Sequence, residues 1–164
     1  APAIALPIAQ ALVVEMGGEP FEVAEEDRGV YHAALNHGAN FLATVVAQSK
    51  QILSTVGIED PGTFLRPLCE AALDRALRAG DRGVSGPIPR GDVGTIREHL
   101  SVLEIKAKEE NLAGEGQWAH RLEDARSTYA AMTLHTVDLL EFEGRISSQV
   151  ASEIRAAVRE MGEK

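Results

Sequence analysis

The chain has 164 residues, with 16 Lys and Arg set against 25 Asp and Glu, for a formal charge of −9. That length suits one domain with a sizeable core. The acidity repels phosphate backbones and anionic lipid, so no nucleic acid and no membrane surface is expected as a partner. Cys69 is the single cysteine, which excludes a disulfide framework and a thiolate metal cluster. The five histidines have no metal-binding rhythm, and no apolar run reaches the ~18–20 residues of a spanning helix. A cytoplasmic setting is the expectation. Aromatics are scarce while Ala, Leu and Val abound, a mixture that favours helix.

The first fourteen residues are apolar but lack a basic n-region, and they read as the start of a trimmed chain, not a signal peptide. Pro7 suits a first helical turn, and Ile8 to Met16 reads as a short helix closed by Gly17-Gly18. Pro20-Phe21-Glu22-Val23 reads as a strand. Helix, glycine turn and strand are the second half of a βαβ unit, which cannot bury its own faces. Residues 1–24 are therefore expected to be the last helix and strand of a preceding Rossmann domain, and 25–164 a helical C-terminal domain.

Glu25-Glu26-Asp27 places negative charge at a helix start, and the helical pattern then runs unbroken to Val56 before Gly57. Val30, Ala34, Phe41, Leu42, Val45, Ile52, Leu53 and Val56 share one broad face. His32, Asn36 and Asn40 line up on a second stripe, drifting only ~40° per four residues. A helix of this length with small residues flanking the stripe predicts a central helix packed on more than one side. Pro61 opens the next helix, which ends at Gly80, and a loop from Asp81 to Arg90 leads to Asp92. Asp92 is placed to cap a short helix from Val93 to about Leu103, with Ile96, Leu100 and Leu103 inward. Lys106 to Gln117 is charged and glycine-bearing and reads as a surface loop. Trp118 to Glu141 and Ile146 to Met161 are two further helices. The fold class that follows is mainly α: a helical bundle around one long central helix, with a short helix-strand remnant in front.

Gly114-x-Gly116-x-x-Ala119 matches a dinucleotide fingerprint formally, but a charged stretch precedes it instead of a buried strand. Gly80-x-x-Gly83-x-x-Gly86 has neither the fingerprint spacing nor a Walker-type lysine. The chain is not expected to bind a dinucleotide tightly by itself. The His32/Asn36/Asn40 stripe carries more chemistry, because a buried helix face seldom holds three polar groups when each unpaired one costs ~1–3 kcal/mol. Facing a cleft, they would bond a substrate hydroxyl, carbonyl or carboxylate, and His32 would exchange a proton near neutral pH. The alternative is that they bond backbone, a partner helix or water. Gly86-Pro87-Ile88-Pro89-Arg90-Gly91-Asp92 also has two readings. Either its prolines hold Arg90 at a helix N-terminus to clamp a carboxylate or phosphate, or it is a turn with an N-cap in which Asp92 partners Arg90.

Tyr31-His32-Ala33-Ala34, Gly38-Ala39-Asn40 and the Gly86–Asp92 loop, with Thr95, His99 and Leu100, resemble a known domain. It is the helical C-terminal domain, of unknown function, of bacterial Rossmann-like oxidoreductases. That domain is similar to the C-terminal half of the 6-phosphogluconate dehydrogenase-like superfamily, which includes ketopantoate reductase and pyrroline-5-carboxylate reductase. The resemblance spans roughly residues 25 to 140. It implies a two-domain enzyme in which the N-terminal Rossmann half holds NADP or NAD. The helical half then supplies part of the pocket for a small keto or hydroxy acid, and the homodimer interface. It further implies His32 and Asn40 as catalytic residues and Asn36, Gly86, Arg90 and Asp92 as substrate-binding residues. Related reductases carry a lysine on the long helix, where this chain has none before Lys50. The rival expectation is a non-catalytic helical module for oligomerisation or partner binding.

Overall fold

A computed structural model describes residues 5–114 and 116–162. They form six α-helices: α1 Ala5–Glu15, α2 Arg28–Ser54, α3 Pro61–Ala79, α4 Val93–Leu112, α5 Gly116–Phe142 and α6 Ser148–Gly162. Short 3₁₀ turns lie at Glu25–Asp27, Gly80–Gly83 and Ile88–Arg90, and the described residues contain no strand. The chain divides into two compact units, residues 1–42 and 43–164.

The core belongs to the second unit. On α4, Ile96, Leu100, Leu103 and Ala107 recur at helical spacing and are buried. Ile96 and Leu100 join Val137 and Leu140 of α5, Ile146 of the turn, and Ala151, Ile154 and Val158 of α6. Leu103, Ala107 and Leu122 form a second cluster, against which Ile52 of α2 packs. Arg126 ties the three helices together. Its guanidinium donates to the Leu100 carbonyl at 3.3 Å and to the Met161 carbonyl in the last turn of α6, where the helix dipole favours a cation.

Three sequence expectations are corrected here. Residues 20–23 are extended but form no strand, because the described residues offer no second strand with which to ladder. The long helix α2 is present but not central. None of its residues is buried, and the core lies among α4, α5 and α6 instead. The stretch from Lys106 is not a loop, since α4 continues to Leu112. Its charges form i,i+4 pairs, Lys106 with Glu110 at 2.9 Å and Lys108 with Glu104 at 2.5 Å, and Ala107 extends the inward stripe.

Candidate functional site

In the first unit, one side of α1 from Leu6 to Val13 and residues between Glu19 and His32 line an open groove of about 830 Å³. Val13, Phe21, Val23 and Tyr31 supply its apolar lining, and His32 stands on its edge. Gln10 donates to the Glu22 carboxylate at 2.8 Å and Arg28 pairs with Glu25 at 3.2 Å, so the groove's polar groups come in matched sets. A largely apolar cleft with a few placed polar groups is the usual form of a small-molecule site. His32, Asn36 and Asn40 are all exposed along α2. The Asn40 amide donates to the Asn36 side-chain oxygen, which leaves the Asn36 amide directed elsewhere. Sequence reasoning placed the stripe but missed the groove. Its wall comes from the expected strand, and Phe21 was counted there as a sheet residue.

The loop lies in the second unit. Ile88, Pro89 and Arg90 make one 3₁₀ turn, held by Arg90 N–H to the Pro87 carbonyl at 3.2 Å and Asp92 N–H to the same carbonyl at 3.0 Å. Gly91 sits at φ 65°, and a side-chain carbon there would meet Val150 Cγ1 at 3.2 Å, so glycine is needed twice over. Val84 and Ile88 pack on the main core, and Arg145 donates to the carbonyls of Asp81 and Val84, the latter at 3.0 Å. Arg90 is exposed on this anchored turn.

Asp92 is an N-cap. One carboxylate oxygen accepts from Thr95 N–H at 3.0 Å, the other from the Thr95 hydroxyl at 2.7 Å. Those bonds, the backbone one first, hold its carboxyl below the ordinary 3.8, and the charges of Arg90 and His99 add to them. The stabilisation is therefore in place above pH 3.8 and is lost as pH falls through the lower, folded value. Asp92→Ala is expected to lower the melting temperature at neutral pH, with wild type and variant converging in acid. Thermal melts across a pH series check this, and a gap that stays constant into strong acid would remove the charge from the explanation.

One turn on from Thr95, His99 Nδ1 meets the Tyr129 hydroxyl at 2.8 Å, with the rings edge to face at 5.6 Å. Burial pushes the Tyr129 phenol above its ordinary value, against a lowering by the Thr133 hydroxyl. Among the described residues no His, Cys, Asp and Glu side chains gather as a metal site, and no helix is long and apolar enough to cross a membrane. Gly114 lies just beyond the end of α4 and Gly116 begins α5, with residue 115 outside the described residues. That junction joins helix to helix, so it does not fit a dinucleotide, whose phosphates need a strand-to-helix cradle.

A family model described as a domain of unknown function, DUF2520, matches residues 1–136. No curated protein and no solved structure matches the chain.

Proposed function

The chain belongs to the DUF2520 family, and from that premise we propose that it is the substrate-binding and dimerisation part of an NAD(P)-dependent reductase. Its substrate would be a small keto or hydroxy acid. The observation that carries this reading is His32 at the edge of an apolar groove, heading an exposed stripe with Asn36 and Asn40. On this reading NADP or NAD is held by a preceding Rossmann domain, and no residue described above holds it. The cofactor supplies the reducing equivalents. His32 exchanges the proton at the substrate oxygen, the part of a general acid or base. Asn40 keeps the Asn36 side chain oriented, so that the Asn36 amide can donate to the substrate. In the second unit, taken by itself, exposed Arg90 is a cation suited to a carboxylate, with Asp92 and Gly86 setting the geometry of its loop.

A second reading, a helical interaction module without catalysis, draws on the uncovered apolar faces of α1, α2 and α3. Mixing the full-length protein with NADH or NADPH and a panel of 2-keto acids separates the two. Oxidation of the dinucleotide with at least one acid is the expected result. No absorbance change with any pair would leave the interaction module as the better reading.

A further inference from the structure

Ser85 is the one serine that neither lies in a helix nor caps one. It is exposed, on the extended stretch between the turns Gly80–Gly83 and Ile88–Arg90. Its hydroxyl accepts from the Arg75 guanidinium of α3 at 3.1 Å. The preceding carbonyl, that of Val84, accepts from Arg145 at 3.0 Å, so two guanidinium groups meet the chain at successive residues. Arg82 is exposed three residues before Ser85. Among the described residues Arg75, Arg82 and Arg145 form no ion pair, whereas Arg66 and Arg78 of α3 each hold a carboxylate. Asp81, the segment's own carboxylate, pairs with none of the three. In a chain of formal charge −9, three cations gathered on one loop without carboxylates make a local field that favours an anion.

The anion this arrangement fits is a phosphate carried by Ser85 itself. Arg75 already donates to the oxygen that would bear it. A phosphoserine adds a charge of about −1.5 to −2 and three acceptor oxygens, which guanidinium forks bond two at a time. Arg82 supplies recognition. Protein kinases select substrates by charge pattern, and three extended residues, ~10 Å, set an arginine within reach of an acidic subsite. Ser148 is the contrast. It also has an arginine three residues before it, Arg145, but it opens α6 and its hydroxyl bonds the Glu141 carboxylate, which a phosphate would oppose.

We propose that Ser85 is a phosphorylation site for an arginine-directed, ATP-dependent protein kinase, with Arg75 and Arg145 holding the phosphate. Ser85 Oγ attacks the γ-phosphorus of ATP. The new O–P bond forms as the bond to the β–γ bridging oxygen breaks, ADP leaves, and the hydroxyl proton passes to the kinase's carboxylate base. Ion pairs then replace the single hydrogen bond from Arg75 to the loop. None of this involves the redox chemistry proposed above. Incubating the full chain with ATP and a kinase that selects arginine three residues before serine tests it by tandem mass spectrometry. One phosphate is expected, on Ser85, absent from Ser85→Ala and added at least about tenfold more slowly to Arg82→Ala. In the phosphoprotein, ³¹P NMR should place the second ionisation of the phosphate at least about 0.5 pH below its ordinary ~6, and Arg75→Ala should bring it back. Helicity by circular dichroism shows that each variant is folded. No incorporation, incorporation on Ser148 instead, or a phosphate that titrates at its ordinary value with Arg75 in place would overturn the assignment.

Discussion

His32→Ala in the intact protein is expected to lower kcat by about 10²–10⁴-fold, the usual contribution of a positioned acid or base. The melting temperature should stay where it is. Both expectations come from exposure: the His32 side chain faces the groove edge and supports no core contact, so its loss costs chemistry and little packing. Asn40→Ala acts one step removed, through the orientation of Asn36, and its effect should be smaller and divided between kcat and KM. Kinetics unchanged in both variants would remove the stripe from the mechanism while leaving the family assignment intact.

The largest loss of stability is expected at Ile154. Its side chain is 0% exposed, in the cluster that joins α4, α5 and α6. Ile154→Ala removes buried carbon and leaves a cavity that three helices cannot all close, at a cost of about 2–5 kcal/mol. Denaturant unfolding at fixed protein concentration measures it, because assembly would make the midpoint depend on concentration. Phe142→Ala is the matched control: that ring is 87% exposed, and its removal should be close to neutral. A comparably small loss at Ile154 would mean that α6 does not close the core.

Local signals were sufficient for much of the helical architecture. Pro61 opens α3, Asp92 opens α4, and the spacing of Ile96, Leu100 and Leu103 marks the buried side of α4. These are contacts within one or two turns, so the chain carries them in its order of residues. The end of α4 was misread because Lys106, Lys108 and their carboxylates look like a solvated loop when counted and like a ladder when placed on a helix. The strand at 20–23 was misread for a different reason. Its residues suit a sheet, but a strand exists only with a neighbour to bond.

The candidate residues divide in the same way. Sequence order put His32, Asn36 and Asn40 on one stripe and placed Asp92 to cap α4, because helical periodicity and capping are local rules. The groove beside His32, the fastening of the loop by Arg145 and the His99–Tyr129 pair join residues from 12 to 64 positions apart, and spacing alone does not record them. The sequence by itself determined a mainly helical chain, most of the helix starts and the polar stripe. Only the tertiary structure decided which apolar faces are used. The apolar faces of α2 and α4 read equally well as core, yet α4 is buried against α5 and α6 while α2 has no buried residue. Periodicity states that a face must be covered, and three-dimensional packing determines what covers it.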